Sequence, residues 1–358
     1  MMSSCIVFLV HRIIMTLLYV VFIMFFITSC EAKLQIPKDV NITAIFAFGD
    51  SIVDQGNNNN LLTLAKCNYL PYGKDFMGGK PTGRFSNAKT PADMLVEDFG
   101  IKKLMPAYLD PNLNVEDLKT GVSFASGASG FDLLTSITAA ALPLSVQLAL
   151  FQQYIWKMKG LIGEEETNKI VKKSLYIVVA GSDDLCNTYY MLKIPRKIQY
   201  NVDSYTNLMV DGASNFVSDL YNMGARRIWI FGLPPIGCLP SQRMRAGGLL
   251  KICVGEYNRA ALMTNAKLAS KIDSLSGKLP QSELLYINIY DPLLDLIVNR
   301  DKYGFEEAKS GCCEGRNQFL LCSNSTGTCE NDAKYLFWDG YHLTEKGYRV
   351  LLDQIFNK

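Results

Sequence analysis

Ile42-Thr43-Ala44-Ile45-Phe46-Ala47-Phe48-Gly49-Asp50-Ser51 is an apolar run that stops abruptly at Gly-Asp-Ser. The run lacks polar alternation, which is the pattern of a β-strand covered on both faces rather than one facing water. Four more β-rich runs follow: Gly121–Phe124, Leu175–Ala180, Arg227–Phe231 and Leu284–Ile289. Helical patterns lie between them. Tyr205, Leu208, Met209, Phe216, Val217 and Leu220 recur at spacings near three and four, with Gly224 as the stop. Similar patterns cover Val146–Met158, Tyr257–Leu275 and Glu345–Phe356. Strands alternating with helices imply a parallel sheet with right-handed crossovers and helices on both faces. The expectation is one α/β domain from about residue 41 to the end, a three-layer α/β/α sandwich around a five-stranded parallel sheet.

The polar stretch from Gly56 to Phe85, with Asn57 to Asn60 in a row and the loop Gly78-Gly79-Lys80-Pro81-Thr82-Gly83, is expected at the surface near the carboxyl edge of the sheet. Its glycines do not have phosphate-loop spacing.

Hydrophobic residues make up 49% of the chain and charged residues 20%, enough apolar material for a substantial core. Lys and Arg number 36 against 34 Asp and Glu, with no long basic block, which argues against nucleic acid as a partner. His11 and Arg12 precede an apolar run from Ile13 to Ile27, and Cys30-Glu31-Ala32 follows with small residues at cleavage spacing. This is the layout of a signal peptide over residues 1–32, with the mature chain starting near Lys33. The alternative of an uncleaved anchor has a run shorter than the ~20 residues of a span. The expected location is therefore secreted and extracellular, in the cell wall or apoplast.

Eight cysteines remain beyond the leader: Cys67, Cys186, Cys238, Cys253, Cys312, Cys313, Cys322 and Cys329. An even set in an exported chain suggests disulfides, although the close C-terminal group also admits a zinc reading. Asn41-Ile42-Thr43 and Asn324-Ser325-Thr326 are glycosylation sequons.

Beyond the leader there is one histidine, His342. Motifs built on two histidines, such as zinc-protease sites, are excluded. Asp339 stands three residues before it in Trp338-Asp339-Gly340-Tyr341-His342, a spacing that lets a carboxylate orient the imidazole. Ser51 is the candidate nucleophile, because open α/β sheets place their sites at the carboxyl ends of strands. A serine here can equally cap the following turn. The Gly-x-Ser-x-Gly elbow of α/β-hydrolases is absent.

Phe48-Gly49-Asp50-Ser51-Ile52-Val53-Asp54 resembles the first block of the plant GDSL esterase/lipases, which are SGNH hydrolases. Gly121-Val122-Ser123-Phe124-Ala125-Ser126-Gly127-Ala128-Ser129-Gly130 resembles the second block, Ala180-Gly181-Ser182-Asp183-Asp184 the third and Asp339-Gly340-Tyr341-His342 the last. The likeness runs from about Ile45 to Leu352 and is greatest to the extracellular-lipase subgroup. It implies a flavodoxin-like SGNH hydrolase fold and hydrolysis of carboxylic esters of lipids or acylated small molecules, often with short or medium acyl chains. Ser51 would attack, His342 would relay the proton and Asp339 would orient His342. The oxyanion would be held by the amides of Ser51 and Gly127 and by the side chain at Asp183. No metal or organic cofactor is implied. The family pattern has Asn where this chain has Asp183, and an ionised Asp offers no donor. A second reading follows from that departure: a weak or inactive secreted protein that binds lipids or acylated wall components in the retained cleft.

Overall fold

The structure is a computed structural model that describes Arg12 and residues 42–192, 194–314, 321–325 and 327–356. The described residues from Ile42 to Ile355 fall in a single compact unit. Apart from Arg12, the expected leader lies outside the described residues, as does Asn41. Asn324 is described and exposed.

Four parallel strands make the central sheet: β1 Ile45–Gly49, β2 Leu175–Val179, β3 Arg227–Phe231 and β4 Glu283–Ile287, adjacent in that order. Their register aligns the carboxyl ends, pairing Gly49 with Val179, Val179 with Phe231 and Phe231 with Ile287.

The sheet is therefore four-stranded, and the expected fifth strand at Gly121–Phe124 is a correction. That segment does run along the free edge of β1, where Ala47 N–H donates to Val122 O and Phe124 N–H to Ala47 O. It forms only isolated parallel bridges, from Ser123 to Ala47 and to Ala107. Gly121 has φ +97°, outside the extended region a ladder requires. Asn57 Nδ2 also takes the carbonyls of Ser123 and Ala125. The sheet order follows the chain order, with the Gly121–Phe124 segment lying outside β1.

Alternating strand residues feed two layers. Phe46, Phe48, Tyr176, Val178, Ile228 and Ile230 pack with the helices Leu144–Ile162, Glu164–Lys173, Val202–Asn222 and Gly255–Ser276 in one core. The opposite face presents Ile177, Val179 and Phe231 toward residues of the helices Pro91–Asp98, Tyr290–Val298 and Glu345–Phe356. Aromatic rings fill the first core: Phe48 stacks on Phe124 at 5.0 Å and meets Phe151 edge-on at 5.6 Å.

The expected disulfides are present for six of the eight cysteines. Cys238–Cys253, Cys312–Cys329 and Cys313–Cys322 are disulfides, whereas Cys67 and Cys186 are free and buried. Bridging, not zinc, is the state of the C-terminal group. Among the described residues no single helix is long and apolar enough to cross a membrane.

Candidate active site

β1 ends at Gly49 because no other residue fits. Its φ is +126°, and a Cβ there would sit 1.8 Å from the Val179 carbonyl oxygen. Gln147 clamps the same peptide: its Oε1 accepts from Gly49 N–H and its Nε2 donates to Gly49 O, each at 2.9 Å. The chain then turns. Asp50 N–H bonds Val179 O at 2.8 Å, and Asp50 Oδ1 accepts Ile52 N–H at 3.0 Å, an Asx turn that holds Ser51 at the end of the strand.

His342 reaches that point from the other end of the chain. Trp338 N–H bonds His342 O at 2.7 Å, and Asp339 Oδ1 accepts the amides of Tyr341 and His342, each at 2.8 Å, which closes the loop tightly. The imidazole Nδ1 lies 2.8 Å from Asp339 Oδ2 and 3.0 Å from Oδ1, while Nε2 lies 2.6 Å from Ser51 Oγ. A carboxylate accepts only, so Nδ1 carries the proton and Nε2 is free to accept from the Ser51 hydroxyl. All three residues are more than nine-tenths buried. Burial works to raise the Asp339 pKa, but His342 and the backbone donors overcome it and hold the carboxyl below its ordinary value. Phe85 packs against the imidazole at 5.0 Å between ring centres.

Four further carboxyls surround the Ser51 turn, and burial raises each of them. Asp54 is pushed up to about 6 despite accepting the amides of Gly56, Asn57 and Gly127. Asp184 is pushed up to about 7. Burial lifts Asp183 to about 6 against the pull of His342 and of Asn187, whose Nδ2 donates to Asp183 Oδ1. Asp50 is raised well above its usual value by burial and then by the charge of Asp183.

The Gly127 N–H, an expected oxyanion donor, is engaged by Asp54 Oδ2 at 2.9 Å. The next residue, Ala128, has φ +66° and lines the cavity with Ser51, Asp183 and His342. The amides of Ser51 and Ala128 have no acceptor among the described residues. Positive φ at a non-glycine is uncommon and marks this turn as held by its surroundings. Sequence reading could not single out Ala128, since nothing in an alanine announces a left-handed conformation.

Several supports were missed because they look like surface loop. Asn57 and Asn58 are buried, with Asn57 Oδ1 accepting Leu109 N–H and Asn58 Nδ2 donating to Gly127 O. Side-chain amides both donate and accept, so a run of Asn can serve as scaffold for irregular backbone. Tyr72 and Phe85, from the same stretch, are 0% and 1% exposed. The expectation of a surface loop over Gly56 to Phe85 fails at these positions.

The family described as GDSL-like lipase/acylhydrolase matches residues 45–355. GDSL esterase/lipase EXL3 of Arabidopsis thaliana is 50% identical over 336 residues, covering 93% of this chain and 92% of the relative. GDSL esterase/lipase EXL2 of the same plant is 45% identical over 348 residues, covering 92% of each. With nearly the whole sheet-bearing unit matched, this chain belongs to the GDSL-like lipase/acylhydrolase family and is a hydrolase of the GDSL type.

Proposed function

We propose that the protein cleaves carboxylic esters through an acyl-enzyme on Ser51. The observation that carries this reading is the line Ser51 Oγ, His342 Nε2 at 2.6 Å, His342 Nδ1, Asp339 Oδ2 at 2.8 Å, which has the connectivity of a nucleophile, its base and the group that orients the base. The Ser51 hydroxyl attacks the ester carbonyl as Nε2 takes its proton. Asp339 stabilises the imidazolium, which then delivers the proton to the leaving alkoxide. Water repeats the sequence in reverse roles and releases the acid. The amides of Ser51 and Ala128 are free to donate to the oxyanion, and Asp183 lines the same space.

The test is labelling by a serine-directed fluorophosphonate, together with turnover of p-nitrophenyl esters. Labelling is expected at Ser51, to vanish in Ser51→Ala and to fall sharply in His342→Ala. Label on another serine with Ser51 untouched would overturn the assignment. Export to the cell wall or apoplast belongs to the same proposal, supported by the leader pattern and three disulfides. Secreted material should begin near Lys33 and carry glycan on Asn324, and an N-terminus upstream of Ile13 would refute cleavage.

A further inference from the structure

Tyr72 is 0% exposed, and its hydroxyl sits between two groups that fix the direction of its proton. Cys322 N–H lies 3.0 Å from it and Asp339 Oδ2 lies 2.7 Å from it. A backbone amide only donates and a carboxylate only accepts, so the phenol accepts from Cys322 and donates to Asp339. Asp339 Oδ1 is held by the amides of Tyr341 and His342, while Oδ2 meets the imidazole Nδ1 and the Tyr72 hydroxyl. The carboxylate is thus pinned at both oxygens, by backbone on one and by Tyr72 on the other. Cys322 is in turn bridged to Cys313, whose N–H bonds the carbonyl of Trp338, the residue before Asp339.

We propose that Tyr72 is a positioning residue, whose hydroxyl holds Asp339 against His342 and shares the carboxylate's negative charge with the imidazole. This role rests on the ester-hydrolase reading of Ser51. His342 must be neutral to take the Ser51 proton, so the acid limb of the kcat/KM profile reports the stability of the imidazolium. In Tyr72→Phe the charge on Oδ2 is no longer shared, which makes Asp339 a stronger acceptor toward Nδ1 and favours the imidazolium. The acid limb should therefore move to higher pH by several tenths of a unit. With one pin gone the carboxylate can turn, and kcat should fall severalfold. Tyr72 does not line the cavity, so KM should change little.

Several titratable groups face this pair. Cys67, Tyr69 and Tyr72 come from the loop after β1, Tyr348 from the helix Glu345–Phe356 and Tyr341 from the His342 loop itself; burial raises each, so they stay neutral through mild alkali. Asp183, pushed up to about 6, faces His342 from the turn after β2 and titrates within the acid limb. The shift is therefore read a second time in Asp183→Asn, where it should persist.

The experiment compares kcat/KM for a p-nitrophenyl ester, and the fluorophosphonate labelling rate of Ser51, across pH in four proteins. They are wild type, Tyr72→Phe, a protein with ring-fluorinated tyrosine at position 72, and Tyr69→Phe. The fluorinated ring keeps both hydrogen bonds but donates more strongly, so its limb should move to lower pH, opposite to Tyr72→Phe. Tyr69→Phe is the control, because its hydroxyl donates at 2.7 Å to the carbonyl of the same Cys322 without touching Asp339. Its limb should stay at the wild-type position. An unmoved limb in Tyr72→Phe, shifts of the same sign in both position-72 proteins, or an equal shift in Tyr69→Phe would refute the role. If Tyr72→Phe does not fold, the fluorinated protein decides, and an unmoved limb there refutes it. Absence of turnover in wild type, with no label on Ser51, would instead sink the hydrolase reading.

Discussion

Asp183→Asn should raise turnover above neutrality and leave it nearly unchanged in mild acid. Asp183 Oδ1 is held by the Asn187 amide, and the residue lines the cavity beside Ser51 and His342. An Asn at this position keeps Oδ1 as the acceptor for Asn187 and places an N–H₂ where Oδ2 stood. With the carboxyl at about 6, wild type is almost fully ionised by about pH 8. There it offers an oxyanion no donor and adds repulsion of up to ~4 kcal/mol for charges ~4 Å apart at an effective dielectric of ~20. A single oxyanion donor is worth ~10²–10³ in turnover. Against this, the Asp183 charge also favours the imidazolium on His342, so part of the gain cancels. The expected net rise in kcat near pH 8 is roughly tenfold or more.

Near pH 5 the wild-type carboxyl carries its proton and can itself donate, so the two proteins should converge. Stability gives a second reading with its own sign. Burial raises the folded pKa of Asp183 above 3.8, so its stabilising share is complete below about pH 4 and lost as pH rises through about 6. The rise from 3.8 to about 6 is worth about 3 kcal/mol at most. The Asn variant should therefore melt higher than wild type at pH 8 but not at pH 4. The assay is kcat for a 4-methylumbelliferyl ester from about pH 5 to pH 8, with melting curves in the same buffers. Equal turnover and parallel profiles would show that Asp183 does not face the oxyanion.

Asp50, Asp54 and Asp184 are raised by burial in the same way, so the whole protein should melt at a higher temperature near pH 5 than near pH 8, and a rising Tm over that interval would contradict the burial of the cluster. Asn57→Ala removes a donor to Ala125 O and the acceptor of Leu109 N–H, and should lower urea stability by about 2–4 kcal/mol. Thiol titration should find no fast-reacting cysteine in the native protein and two after denaturation without reductant, because burial raises the Cys67 and Cys186 thiols well above their usual range. More than two would mean that one of the three disulfides is open.

The layers of the sandwich were legible because their signal is local. Phe46 and Phe48 belong to an unbroken apolar run that has to be covered on both faces, and the expected bounds of Arg227–Phe231 and Glu345–Phe356 match the observed ones. Ser51 was legible as well, since Gly-Asp-Ser stops the first strand, and so was Asp339 three residues from the one histidine beyond the leader. What had no local signature was decided by tertiary structure. Gly121–Phe124 has strand composition, yet a glycine at φ +97° and the competing amide of Asn57 leave it with isolated bridges. Asn57, Tyr72 and Phe85 sit in a stretch with the polarity of a surface loop, and only the approach of the second block and of the His342 loop buries them. Cys67 and Cys186 make an even count with six others, but even counts say nothing about whether two sulfurs meet. Gly127 and Ala128 differ in which amide is taken by Asp54, which depends on a carboxylate some seventy residues away in the chain. The sequence alone determined the chemistry available at the carboxyl end of the first strand. Distances across the chain, such as the 2.6 Å between Ser51 and His342, exist only once the sheet and its helices have closed around them.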